Sequence, residues 1–235
     1  MQHLRVPCAA KTAREPAQLL AERIRVLPAP AVPEPAPLDG KATTAGDVLV
    51  AHLREQVAEL VRRDPQVRRD EPDAVHKMRV ATRRLRSALH TFRPLLDRER
   101  TAPLREELRW LGGSLGAARD AEVLHARLVA QIAEQPADLV LGPVRAKVDE
   151  LLLGRHRRAL DGARRDLDSD RYLTLLDDLD ALVDDPPLTP TAGKRATTVL
   201  PRLVARADRT LTRSVEVAEG TDDAASDHLL HEARK

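Results

Sequence analysis

From Thr43 onward, apolar and polar positions alternate with a helical period: apolar residues recur at steps of three and four, lining one side of a 3.6-residue helix. Over 44–63 that side is Val48, Leu49, Leu53, Val57, Leu60 and Val61. Over 74–96 it is Val75, Met78, Thr82, Leu85, Leu89, Phe92 and Leu96, with Asp73 placed to cap the helix and Pro94 limiting it. A third helix is predicted over 103–135, with Leu104, Leu108, Leu111, Leu115 and Ala118 inward and an interruption at Gly112-Gly113. A fourth, over 138–168, turns Val140, Leu141, Val144, Val148, Leu151 and Leu152 inward. A short acidic-sided helix over 171–183 ends at Pro186-Pro187, and a last one over 196–219 carries Val199, Leu200, Leu203, Val204 and Leu211, with Pro201 near its start.

Upstream the pattern changes. One amphipathic helix is predicted over 13–27, followed by Pro28, Pro30, Pro33, Pro35 and Pro37 at near-alternate positions. Such spacing makes a semi-rigid polyproline-type spacer. The expected organisation is an N-terminal segment over 1–27, a linker over 28–42 and a helical domain over 43–235.

Composition narrows the fold class. Apolar residues make up 42% of the chain but aromatics only 1%, so the core is built from Leu, Val and Ala. That favours helix packed on helix over aromatic-rich strands, and the expected fold is all-α. Cys8 is the sole cysteine, which excludes an intrachain disulfide and a thiolate metal cluster. No apolar run approaches the ~18 residues that span a bilayer. Arg5 and Pro7 interrupt the start before a signal-peptide core can form. A cytoplasmic location without membrane contact is expected, and the Ala, Arg, Leu and Pro bias points to a GC-rich bacterial source.

Charge changes the picture most over 74–96. The whole chain is nearly balanced, with 39 Lys and Arg against 37 Asp and Glu. This stretch nevertheless holds Lys77, Arg79, Arg83, Arg84, Arg86 and Arg93, together with His76 and His90, and no acidic residue. At about 100° per residue, His76, Arg79, Arg83, Arg86, His90 and Arg93 fall within an arc of roughly 100° beside the apolar seam. Lys77 and Arg84 lie on the other flank. Surface helices ordinarily interleave Glu with Lys or Arg at i,i+4, which relieves repulsion. An unrelieved row rich in Arg, whose planar fork suits phosphate and carboxylate, reads as an anion site.

The run VHKMRVATRRLRSALHTF, followed by LRWLGGSLGAARDAEVL, resembles the CHAD family, the conserved-histidine α-helical domain. The likeness rests on an H-x-x-R-x-x-x-R-R-x-R signature at His76, Arg79, Arg83, Arg84 and Arg86, and on an L-G-x-x-R-D turn at Leu115, Gly116, Arg119 and Asp120. The resemblance implies a helical bundle of two duplicated antiparallel bundles that binds inorganic polyphosphate in a basic channel. It gives Arg119 a place at the anion and Asp120 the task of holding a neighbouring basic side chain. The repeats fall at about 43–135 and 138–235, and His231 and Arg234 in HLLHEARK echo the spacing of His76 and Arg79. The second copy stops after Lys235, before further expected cations, so a truncated second repeat is expected. CHAD domains often follow a CYTH triphosphatase domain, but that enzyme's E-x-E-x-K signature is absent from this sequence.

Further cations extend the candidate set. Arg105, Arg109 and Arg119 share an arc of roughly 80° if their helix stays straight, and Arg202, Arg206, Arg209 and Arg213 form a second acid-poor row. The candidate anion-binding residues are therefore His76, Arg79, Arg83, Arg84, Arg86, His90, Arg109, Arg119, Arg202, Arg206, His231, Arg234 and Lys235. Arg155, His156, Arg157 and Arg158 form a basic cluster followed by Asp161, Arg164, Arg165 and Asp166 in mixed order and read as a solvated face, and Trp110 reads as core filling. Two other readings stay open. Nucleic-acid binding is disfavoured by the lack of stacking aromatics and of Asn or Gln beside the arginines. Phosphotransfer on His76 would need a carboxylate or Mg²⁺ cluster that the sequence does not offer, and the expected protein is not an enzyme. No cofactor or metal is expected; the expected partners are polyphosphate, as granules or beside an upstream CYTH-type domain.

Overall fold

In the computed structural model, residues 43–136 and 139–219 are described, the side chains of 217–219 excepted. The predicted N-terminal helix, the Pro-rich linker, His231, Arg234 and Lys235 lie outside the described residues. Among the described residues the regular structure is helical, with two isolated bridges, Thr44 to Arg195 and Leu96 to Leu188. The all-α expectation holds.

Helix α1, Ala45–Arg68, starts at a capping box: the Asp47 amide donates to Thr44 Oγ1 (3.1 Å), and the Thr44 amide donates to Asp47 Oδ2 (2.9 Å). Those bonds hold the Asp47 carboxyl below its ordinary range. Helix α2, Ala74–Thr91, folds back along α1, joined by a short turn in which Asp70 and Asp73 take positive φ (55° and 61°). The seam is where the periodicity puts it. Val75, Met78, Thr82, Leu85 and Leu89 are buried on α2, facing Leu49, Leu53, Val57, Leu60 and Val61 on α1. Each buried Leu, Val or Met contributes about 1.5–3 kcal/mol relative to exposure.

A 3₁₀ turn at Arg93–Leu95 ends α2 earlier than the seam alone suggests, because Pro94 cannot continue the helix. Helix α3, Arg98–Ser114, is capped by Asp97, whose carboxylate accepts from the Glu99 and Arg100 amides. It contains Pro103 in its second turn and so starts before the predicted 103. The predicted interruption at Gly112-Gly113 falls instead at Leu115, and Gly116–Ala133 forms a separate helix, α4. Helices α4 and α5, Val144–Leu167, make a long pair. Helix α6, Asp170–Asp184, is capped by Ser169 and packs on α1, α3 and α5; α7, Ala196–Glu219, lies on α1 and α2.

The α4–α5 pair corrects one expectation. Leu152 is 4% exposed, but Leu151 is 67% exposed and Leu141 79%, and α5 begins only at Val144. Of the inward side predicted for this segment, Leu152 is buried; the other buried apolar residues of α5 are Leu160, Ala163 and Leu167, farther along the helix, and among the described residues no third layer covers its outer part.

The loop from Pro186 to Arg195 fixes both ends of the first hairpin. The Asp97 amide donates to the Pro187 carbonyl (2.7 Å) and Thr189 to the Leu95 carbonyl (3.0 Å), while the Ala45 amide donates to Lys194 (2.9 Å). Gly46 sits under this loop, where an added Cβ would meet Leu188 at 3.1 Å and Ala192 at 3.2 Å. The α1 end is anchored by Arg68. It pairs with buried Asp64 and with Asp168 and donates to the Leu167 carbonyl (2.7 Å). Burial raises the Asp64 carboxyl above its ordinary range, against the hydrogen bonds from Arg68 and Tyr172.

Candidate functional site

The apolar seam fixes which way α2 faces, and that in turn fixes its cations. With Met78, Leu85 and Leu89 buried, His76, Lys77, Arg83, Arg84, His90 and Arg93 are exposed, and Arg79 and Arg86 are half-buried against α3 and α4. Several arginines of the bundle are held by carboxylates: Arg62 and Arg63 by Glu59, Arg68 by Asp64 and Asp168, Arg171 by Glu107. On α2 and its 3₁₀ extension the opposite holds. Among the described residues, Lys77, Arg79, Arg83, Arg84, Arg86 and Arg93 make no ion pair and no hydrogen bond through their charged groups.

Neighbouring helices add to this field. The Arg86 guanidinium is pushed below its ordinary range, first by burial and then by the charges of Arg109 and Arg105, with Glu106 opposing. His90 is lowered by burial, then by Arg105 and Arg93. The Arg105 Nη2 stands 3.4 Å from His90 Nδ1. The half-buried Arg86 and the exposed His90 thus both sit where added positive charge is unwelcome.

Arg79 is placed by a glycine. Gly116 is buried at the first position of α4, and a Cβ there would lie 2.8 Å from Arg79 Nη1. The guanidinium therefore rests on bare backbone at the α3–α4 break. This explains the glycine of the L-G-x-x-R-D turn: its missing side chain is the seat of Arg79.

The remaining candidates are distributed as follows. Arg109 is brought beside Arg86 but is partly neutralised by Glu106 (2.7 Å). Arg119 pairs with Glu122 (3.0 Å) and approaches Asp73 (3.8 Å). The break at Leu115 separates Arg105 and Arg109 on α3 from Arg119 on α4, so the single straight face drawn for the three does not exist. Asp120 is exposed and, among the described residues, pairs with nothing; Glu122 does the holding assigned to it. Asp73 occupies the N-cap position with a left-handed backbone and makes no capping hydrogen bond. Arg202 and Arg206 are exposed on α7, which packs on α1 and α2, and they make no ion pair among the described residues.

Sequence reasoning missed His156. It belongs to the cluster read as solvated, yet its ring bridges Asp70 Oδ1 (3.0 Å) and the Ala118 carbonyl (3.4 Å), with Glu122 at 4.0 Å. It ties α5 to the α1–α2 turn and to α4, and so holds the start of α2 against the Arg119 end of the site. Trp110 is half-buried rather than core, with the Arg171 guanidinium 4.2 Å from its ring centroid. No grouping of three or more metal-ligating side chains exists among the described residues, and none of their helices is long and apolar enough to cross a membrane.

Comparison with known proteins bears on the whole arrangement. The CHAD domain model matches residues 51–235. Uncharacterized proteins of two Mycobacterium tuberculosis strains, CDC 1551 / Oshkosh and H37Rv, are each 39% identical over 184 residues, covering 77% of this chain and 34% of their own length. The chain thus spans about a third of the curated relatives it matches. Among solved structures, PptA from Streptomyces chartreusis superposes with a TM-score of 0.62 at 30% identity, over 74% of this chain and 60% of that one. The CHAD domain from the plant Ricinus communis superposes with a TM-score of 0.58 at 25% identity, over 82% and 62%.

Proposed function

Since the chain belongs to the CHAD domain family, we propose that it binds inorganic polyphosphate along α2, by charge and without chemistry on the ligand. The observation that carries this reading is the complete lack of neutralisation on α2 and its 3₁₀ extension, where the described cations have no carboxylate partner. Like charges at i,i+3 and i,i+4 cost about 0.2–0.5 kcal/mol per pair. A fold that keeps them together gains from an anion that offsets them.

The geometry suits an extended anion. Arg79, Arg83 and Arg86 recur about once per helical turn, ~5.4 Å, and a polyanion repeats its charge every few ångströms. Arg105 and Arg109 widen the positive field from α3. His90, neutral near pH 7 because its pKa is lowered, is a hydrogen-bonding group until an anion draws a proton onto it. Tethering to polyphosphate granules, or service to an adjoining CYTH-type triphosphatase domain, would both use this binding.

The test is competition at fixed salt between long-chain polyphosphate and duplex DNA. Displacement of DNA by polyphosphate at equal phosphate concentration, with little reverse displacement, is expected. Preference for DNA would move the assignment to nucleic acid. Acid-labile phosphate on His76 after incubation with a phosphodonor would move it to phosphotransfer.

A further inference from the structure

Helix α5 carries a polar face that no described residue covers. At about 100° per residue, Lys147, Glu150, Gly154, Arg158 and Asp161 fall within an arc of roughly 80°. The arc lies on the side of α5 away from Leu152, Leu160, Ala163 and Leu167, its buried residues. Leu151, at the edge of the same face, is 67% exposed. Gly154 sits at the middle of the arc. A glycine inside a helix is less stable there than alanine, and packing within the chain does not require one. An added Cβ would meet only the tip of the Arg158 side chain, Nη1 at 3.6 Å. A bare position of this kind lets a second backbone approach closely.

The charges around Gly154 are self-complementary. Lys147 stands seven residues before it and Asp161 seven after; Glu150 stands four before and Arg158 four after. A two-fold axis at Gly154, relating α5 to an antiparallel copy of itself, sets Lys147 against Asp161 and Glu150 against Arg158, each pair made twice. Among the described residues Lys147, Glu150 and Arg158 make no ion pair, and Asp161 accepts from Arg164 (3.2 Å). Moving the axis to Leu151, or midway between Leu152 and Leu153, sets Lys147 against Arg155 or Arg158 instead. Opposed like charges are costly, so the pattern selects one register.

We propose that α5 is a homodimer interface: a second copy of this chain packs antiparallel on it, crossing at Gly154, with Lys147–Asp161 and Glu150–Arg158 ion pairs between the copies. The aliphatic stems of the opposed cations cover Leu151. The 24 residues of α5 run for roughly 36 Å. A single helix crossing of that length lies at the low end of specific interfaces, below about 1,200 Å² in total. The dimer is therefore reversible, and salt loosens it. It does not depend on what α2 binds.

Sedimentation velocity of the full 235-residue chain, over a range of concentrations at low salt, tests this. A monomer–dimer equilibrium is expected. Glu150→Arg sets arginine against Arg158 and should raise the dissociation constant about tenfold or more. Adding Arg158→Glu to that variant should bring it back to within about threefold of the parent. Gly154→Leu should also weaken the dimer about tenfold or more, while thermal stability holds or rises because leucine is the better helix former. Circular dichroism of all the variants should match the parent. A chain that stays monomeric at its highest soluble concentration overturns the proposal and leaves the face to solvent or to another protein. A dimer indifferent to Glu150→Arg and Gly154→Leu overturns it too, since the copies would then meet through another surface.

Discussion

Gly116→Ala separates what the fold needs from what the site needs. At the first position of α4, alanine is a better helix residue than glycine by about 0.5–1 kcal/mol, so the substitution should be neutral or stabilising. Its Cβ, however, would stand 2.8 Å from Arg79 Nη1, where ordinary contact begins at 3.4 Å. The backbone cannot yield as cheaply as the tip of an arginine, so the guanidinium moves by about 0.6 Å or more. A forked contact to phosphate depends on that placement. Reducing it to a single hydrogen bond loses about 1.5 kcal/mol, roughly tenfold in affinity. Thermal unfolding and calorimetric titration with polyphosphate on the same preparation read both effects. The expected result is an unchanged or raised Tm with affinity lowered about tenfold. Unchanged affinity would refute the claim that Gly116 seats Arg79 for the anion, and a lowered Tm would show that the glycine serves packing instead.

Other substitutions follow the same logic. Replacing Arg79, Arg83 and Arg86 with Ala removes like-charge neighbours at i,i+3 and i,i+4, so Tm should rise by about 1–4 °C; polyphosphate affinity should fall at least a hundredfold, and a folded variant that binds as before would sink the assignment. His90 has its pKa lowered below the ordinary 6.5 in the free protein, first by burial and then by Arg105 and Arg93. Below about pH 6.5 the unfolded chain therefore binds this proton more readily than the folded one, and the stability His90 contributes is lost as pH falls. Bound polyphosphate cancels the arginine field, so binding near pH 6 should take up protons, and His90→Asn should take up fewer; equal uptake, measured in buffers of different ionisation enthalpy, would exclude His90 from the site. Arg68→Ala leaves Asp64 buried without its cation and should cost about 3–5 kcal/mol by urea denaturation; a loss under 1 kcal/mol would show that Asp64 is simply protonated in the variant.

What the sequence made legible was whatever repeats along one helix. The seam from Val75 to Leu89 and the cations beside it follow from a 3.6-residue period, and both stand where the period puts them. Contacts between helices were beyond its reach. The seating of Arg79 on Gly116 depends on a break at Leu115, and sequence put that break at the neighbouring Gly112-Gly113 pair because glycine is the usual marker of a bend. His156 was hidden among Arg155, Arg157 and Arg158; only tertiary packing distinguishes the ring that reaches Asp70 and Ala118 from side chains that face water. The outer part of α5 misled for the opposite reason. Its apolar residues have helical spacing, but no third layer covers them in the described structure, and Leu151 remains exposed, as does Leu141 just before the helix. Asp120 was assigned a partner through family resemblance, whereas Glu122, three residues on and on the same helix face as Arg119, makes the pair.

The central claim is that α2 holds its cations unpaired because polyphosphate pairs them. Calorimetric titration of the 235-residue chain with long-chain polyphosphate, at several salt concentrations, tests it most directly. Each phosphate neutralised releases counterions, so the logarithm of affinity should fall linearly with the logarithm of salt, as it does for proteins on nucleic acid. The account predicts binding that weakens steeply along such a line. A folded, helical chain whose affinity is absent, or indifferent to salt, would contradict it.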